Sequence, residues 1–200
     1  MERRNLTAIV LAQWVFLYNF VNWATLFRGR VYVIETAIDR AIPMSAPWIF
    51  VYSMAYPVCL APAFLLSIPR LRVACLAYTF AYGVSLLTFL AMPVGMPRPE
   101  PLPGAWGTWL LNVTRAVDRP FNCFPSLHVS LDFISAFVTG TQRPVAGAVL
   151  LVCASVISVS TLFVKQHYFL DLVAGILLAA LAVRFAMQDR WRRRFGDLPP

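Results

Sequence analysis

Charge is what this 200-residue chain has least of: 13% of its residues are charged against 60% hydrophobic, and its mean hydropathy is +0.68. A soluble domain carries about 25% charged residues, so a domain that faces water on all sides is excluded. Cysteine is sparse as well. Cys59, Cys75, Cys123 and Cys153 form no C-x-x-C pair, and three of them lie inside apolar runs, where cysteine behaves as a small hydrophobe. Cys123 lies in a loop with no evident partner, which disfavours a disulfide framework or paired-thiol chemistry. Histidine occurs only at positions 128 and 167. There is no internal repeat and no low-complexity tract.

What the chain does have is apolar runs long enough to cross a bilayer, which takes about 20 residues per helix. Six are expected, at roughly 6–27, 47–69, 71–92, 125–141, 145–164 and 168–188. Helix-ending residues separate them: Arg28-Gly29-Arg30, Ile68-Pro69-Arg70 and Gln142-Arg143-Pro144. The first run follows Arg3 and Arg4 as a signal sequence would. It is too long for a signal core and no small-residue cleavage site follows, so it reads as a retained span. The expected fold is therefore all-α: a single integral membrane domain over 1–200, built as a six-transmembrane-helix bundle with a basic tail at 189–200.

The longest connection runs from Pro93 to Phe124. Pro93, Pro97, Pro99, Pro101, Pro103 and Pro120 make its ends extended or turned. Between them Ala105 to Val117, with Trp106, Trp109, Leu110 and Val113, has helical spacing and an apolar stripe. A short helix lying in the interface between the third and fourth spans is expected there. Segment 30–46 is a second connection of mixed character.

The net charge of +8 comes from arginines between the apolar runs and in the tail, at Arg190, Arg192, Arg193 and Arg194. That placement reads as topology signals beside acidic headgroups and not as a nucleic-acid surface. Six spans put both termini on one side, with Arg3, Arg4, Arg70, Arg72, Arg143 and the tail arginines. The opposite side carries Arg28, Arg30, Arg40, Arg98, Arg115, Arg119 and Lys165. The expectation is a multi-pass protein of the plasma (inner) membrane with cytoplasmic termini.

Both histidines stand where a loop enters a helix. His128 ends Phe124-Pro125-Ser126-Leu127-His128, and His167 lies in Lys165-Gln166-His167-Tyr168-Phe169-Leu170-Asp171. Two crossings separate them, so they must face the same side of the bilayer, here the extracytoplasmic one. Helix N-termini offer unpaired N–H groups and a positive dipole end, which suits an anion. With Arg98, Arg119 and Lys165 nearby, they would form a phosphate cradle. Asp171 follows His167 by four residues, one helical turn on, where it can fix the imidazole tautomer and support charge on the ring. Asp132 repeats that spacing after His128. It would either orient His128 or be a buried polar residue bonded to a neighbouring helix.

Phe124-Pro-Ser-Leu-His128 and Ser160-…-Gln166-His167-…-Asp171 resemble the second and third signature motifs of the type-2 phosphatidic acid phosphatase superfamily. The leucine in Pro-Ser-Leu-His, the stretch Lys-Gln-His-Tyr-Phe-Leu-Asp and Ala41-Ile-Pro43-Met-Ser-Ala-Pro47-Trp48 are similar to its inositolphosphotransferase-like branch. That branch includes inositol phosphorylceramide synthase and is related to sphingomyelin synthases. The resemblance covers about residues 40 to 180. It implies that His167 is a nucleophile forming a phosphohistidine, that Asp171 orients it, and that His128 is the general acid and then base. It further implies that Ser126 binds phosphate oxygen and that Arg98 is the arginine of the first motif. That motif's lysine would fall at Ala91, and the arginine expected after Ser160 is Thr161, so Lys165 would supply the charge. Arg119 competes with Arg98 for phosphate, or else serves as an interfacial anchor.

The implied activity is a metal-independent lipid phosphatase or phosphotransferase that needs no cofactor. Its substrate would be a lipid phosphate or phosphodiester, with membrane lipids as partners and no nucleic acid. With water as acceptor it is a phosphatase; with an alcohol, a headgroup transferase to a sphingolipid or diacylglycerol. Two rivals come from other chemistry. His128, His167 and Asp171 could bind a metal as a two-histidine, one-carboxylate triad, although the arginines would repel a cation. A lipid transporter could use the histidines and Asp132 as proton relays, but matched Gly-broken helices are lacking.

Overall fold

The computed structural model describes residues 1–25, 31–101, 104–188 and 191. The expected end of the first span at Phe27, the loop arginines Arg28 and Arg30, Pro103, and the basic tail apart from Trp191 lie outside these residues. Everything regular among the described residues is helical, apart from one isolated bridge between Tyr32 and Val94.

Helix α1 occupies residues 2–24, as Glu2–Ala12, a π-helical stretch Gln13–Tyr18 and Asn19–Ala24. A short α2, Ala37–Ala41, starts at a capping box in which Thr36 and Asp39 satisfy each other's backbone N–H groups. Then come α3 (Ala46–Leu65) and α4 (Ile68–Ala91), followed by the short α5 (Thr108–Val117). The last three are α6 (Leu127–Gly140), α7 (Pro144–Phe163) and α8 (Phe169–Ala186). Proline stands in the first turn of α4 and of α7, where its missing N–H costs nothing.

Among the described residues, four helices are long and apolar enough to cross a membrane: α3, α4, α7 and α8. The chain is a helical membrane protein, and the expected six spans reduce to these four plus two that differ. The region of the first expected span folds as α1, interrupted by its π stretch. The fourth is the 14-residue α6, about 21 Å long at 1.5 Å per residue, less than the ~30 Å hydrocarbon thickness. Its core positions explain this: Val129, Ile134 and Val138 have no exposure, so α6 packs among its neighbours and has little lipid-facing surface. The short helix expected between the third and fourth spans forms as α5. Trp106 and Trp109 are about two-thirds exposed at its start, and both rings reach Phe50 of α3.

Two close approaches let the ends of the bundle converge. At the α6–α7 crossing, a Cβ on Gly147 would stand 2.3 Å from Gly140 Cα. At the α6–α8 contact, a Cβ on Gly175 would stand 2.8 Å from the Ser126 carbonyl. Both obstacles are backbone, which cannot rotate away. Gly147→Ala should therefore destabilise the bundle by about 1–3 kcal/mol, the range for overpacking, seen as a lower thermal midpoint in detergent.

Candidate active site

The two histidines meet. Their ring centroids are 6.0 Å apart with planes inclined by 63°, although two helices intervene in the chain. Each owes its position to a helix start. Ser126 caps α6: its Oγ accepts the Val129 N–H at 3.4 Å, which sets the first turn that carries His128. Asp171 organises the start of α8, its Oδ2 accepting from the Tyr168 N–H at 2.8 Å and from His167 Nδ1 at 3.2 Å. The two starts are joined directly, because the Ser126 N–H donates to the Asp171 carbonyl at 3.1 Å.

His167 Nδ1 also lies 3.0 Å from the Cys123 carbonyl. Both neighbours of Nδ1 only accept, so Nδ1 carries the proton and the lone pair of the neutral ring is on Nε2. His167 is 4% exposed and Asp171 is fully buried, which makes this pair a fixed element. His128 is half-buried, and its Nε2 lies 3.4 Å from the hydroxyl of the buried Tyr52 on α3. Tyr56 stands edge-on to the same imidazole.

The cationic candidates are placed differently from one another. Arg98 reaches the site: one guanidinium nitrogen donates to Gln166 Oε1, next to His167, and the other to the Asp118 carbonyl. Arg119 is exposed, and its backbone carbonyl accepts from Asn22 and Phe121. Lys165 has φ 54° and turns its amino group onto the carbonyls of Asp39 and Ile42, at 2.8 and 2.6 Å. Burial lowers the Lys165 pKa, opposed by the nearby Asp39 and Glu35 carboxylates. Ser160 Oγ donates to the Ile157 carbonyl of its own helix. Asp132 is fully buried, and neither oxygen has a partner among the described residues, so it bonds neither His128 nor a neighbouring helix.

Three contributors were not singled out from the sequence. Asp39 Oδ1 accepts the Phe169 N–H at 2.7 Å, fastening α2 to the first residue of α8. The Thr36-x-x-Asp39 box was legible, but its reach across 130 positions was not. Gln166 is 2% exposed, and its Nε2 has no partner among the described residues while its Oε1 holds Arg98. Tyr52 positions His128 from α3, four residues beyond the Ala41 to Trp48 stretch.

A compact donor cluster exists, in which Cys123, His167 and Asp171 offer atoms within 4.8 Å of one another. It omits His128, unlike the triad weighed from the sequence. Burial, with Asp171 beside it, pushes the Cys123 thiol well above its ordinary pKa, and the thiol donates to the Gln166 carbonyl. A protonated thiol and a protonated Nδ1 are poor metal ligands.

Two cavities meet at His128. One, of about 380 Å³, is walled by apolar side chains of α1, α3, α4 and α6, and Asp132 lines it. The other, of about 320 Å³, lies toward α5 and includes Asn19, Ser53, Thr114 and Asp118. An almost wholly apolar recess and one of mixed lining, with Leu110, Val113 and Val117 beside those polar groups, thus share one imidazole.

Comparison with known proteins gives one family: a model of the PAP2 superfamily matches residues 72–195, more than half of the chain. The matched region contains Arg98, Ser126, His128, Lys165, His167 and Asp171. No curated protein and no solved structure matches.

The Asp39 contact predicts a distant positioning effect. Asp39→Ala should remove about 0.5–2 kcal/mol of helix-start stabilisation and lower turnover by about tenfold through misplacement of His167. Asp39→Asn, which keeps an acceptor, should lose less. Phosphate-release kinetics beside a thermal melt would measure both.

Proposed function

Because the chain belongs to the PAP2 superfamily, whose members are phosphatases and phosphotransferases, we propose that it cleaves a lipid phosphate or phosphodiester through a phosphohistidine on His167. The observation that carries this reading is the tautomer. With Nδ1–H facing Asp171 Oδ2 and the Cys123 carbonyl, the Nε2 lone pair is the nucleophile, 6.0 Å centroid to centroid from a second imidazole.

In the first half-reaction Nε2 attacks phosphorus, and the ester P–O bond breaks as His128 gives its proton to the leaving oxygen. In the second, His128 takes a proton from the acceptor, whose oxygen attacks phosphorus, and the N–P bond breaks. Asp171 stabilises the cationic ring in between. The transferring group needs its charge stabilised. Arg98 serves this with the buried amide of Gln166 and the helix start at Ser126. Lys165, tied to Asp39 and Ile42, acts chiefly through the loop that it anchors, and Arg119 is the interfacial anchor.

The recesses at His128 support an amphipathic substrate, with its chain in the apolar cavity and its polar part toward Asn19, Ser53, Thr114 and Asp118 in the mixed one. The site lies at one membrane surface, which we assign to the extracytoplasmic side of the plasma (inner) membrane with the termini cytoplasmic. Water as acceptor makes the enzyme a phosphatase. The Pro-Ser-Leu-His wording favours the inositolphosphotransferase-like branch, and with it an alcohol acceptor and headgroup transfer. The chemistry proposed uses no metal.

Purified protein in detergent should release phosphate from lipid phosphates, or transfer a headgroup when an acceptor alcohol is supplied, and should do so in excess EDTA. His167→Ala should lower the rate by roughly 10³-fold or more. His128→Ala should cost about 10²–10⁴-fold with an alkyl leaving group and far less with p-nitrophenolate, which leaves unprotonated. Loss of activity in EDTA, restored by a divalent cation, would overturn the metal-independent mechanism.

A further inference from the structure

Asp132 takes no part in the proposed reaction. Its carboxyl is fully buried, both oxygens lack a partner among the described residues, and it lines the apolar cavity beside His128. A polar group left unpaired in such surroundings is expensive, more so for a carboxylate. The rest of the wall, including Leu131, Cys59 and Tyr82, is largely apolar. At about 380 Å³ the cavity falls within the roughly 300–1,000 Å³ typical of ligand sites. Leu11 of α1 and Tyr56 of α3 line it while each is 41% exposed, so its mouth lies between those helices, on a face where an apolar chain can enter.

We infer that Asp132 is a specificity subsite that accepts a hydrogen bond from a hydroxyl or N–H group on the backbone of a lipid whose chain fills this cavity. The inference rests on the proposed function for the position of the phosphate but not for the binding itself. Asp132 follows His128 by four residues, so it sits one turn along the same face, about 6 Å deeper at 1.5 Å per residue. That is the span between a phosphoryl group and the first polar groups of a lipid backbone. Donors are required by the carboxyl's own inventory: ionised it only accepts, and protonated it still keeps an accepting oxygen. An ester carbonyl or a bare hydrocarbon leaves that oxygen unmet. A site built around a buried hydrogen-bonding group rejects analogues that lack the partner far more strongly than it rejects a missing methylene.

The test uses the full-length protein in detergent with two readouts. The first is thermal stabilisation by a 1-monoacylglycerol against its di-O-methyl ether, which has the same chain and no donor. The monoacylglycerol should bind at least about tenfold more tightly, and Asp132→Leu should erase the difference. The second is kcat/KM for a 1-acylglycerol 3-phosphate against its 2-O-methyl analogue, expected to favour the free hydroxyl by about tenfold. Equal binding of both lipids by the unaltered protein would overturn the inference, whether or not the variant folds. A preference that persists in Asp132→Leu would also overturn it. Discrimination in binding with neither phosphate release nor headgroup transfer from any ester would leave the subsite standing and overturn the proposed function instead.

Discussion

Asp171 holds both halves of the candidate site at once. Its side chain fixes the His167 ring and the first turn of α8, while its backbone carbonyl takes the N–H of Ser126, the residue that caps α6 and precedes His128 by two positions. The spacing of the two imidazoles thus depends on one residue, fully buried, at a junction of two helix starts. Asp171 Oδ2 meets two buried donors at once, so moving it would leave both the Tyr168 N–H and His167 Nδ1 without this acceptor. The surrounding contacts reinforce it. Asp39 fastens the start of α8 from α2, Tyr52 touches His128 from α3, and Arg98 meets Gln166 from the long loop.

Packing of small residues makes this junction possible. α6 is short and buried, and it approaches α7 through Gly140 and Gly147 and α8 through Gly175. The Ser130 hydroxyl bridges the last contact, donating to the carbonyls of Ser126 and Gly175. Where backbones lie this close, dispersion and hydrogen bonding replace the hydrophobic drive that lipid surroundings remove. A side chain at either crossing would push apart the ends that carry the histidines. Under the proposed mechanism, the tolerance for such movement is small, since a nucleophile and a general acid must address one phosphorus together.

The convergence of His128 and His167 was legible because it needs only the order of helices. An antiparallel α6–α7 pair returns the chain to its starting side, whatever the total number of spans. The i, i+4 spacing of His167 and Asp171 was legible for the same local reason. Apolar run lengths located α3, α4, α7 and α8 to within a few residues. They did not convey the π stretch in α1, which a mean apolar content does not encode. Lys165 shows the limit at the side-chain level. Its place two residues before His167 suggested a phosphate contact, yet the left-handed backbone there turns the amino group onto α2 carbonyls. The partners of Arg98 and His128 lie 68 and 76 positions away, and no periodicity encodes such distances. Asp132 had two sequence readings, and neither contact forms among the described residues.

The protonation of Nδ1 makes a single-atom claim about covalent chemistry. The direct measurement is mass spectrometry of the protein quenched in alkali during turnover of a lipid phosphate, since phosphohistidine survives base and is lost in acid. The expected result is one phosphoryl group on Nε2 of His167, absent in His167→Ala. A phosphoryl group on His128, or none on either histidine while product accumulates, would contradict it.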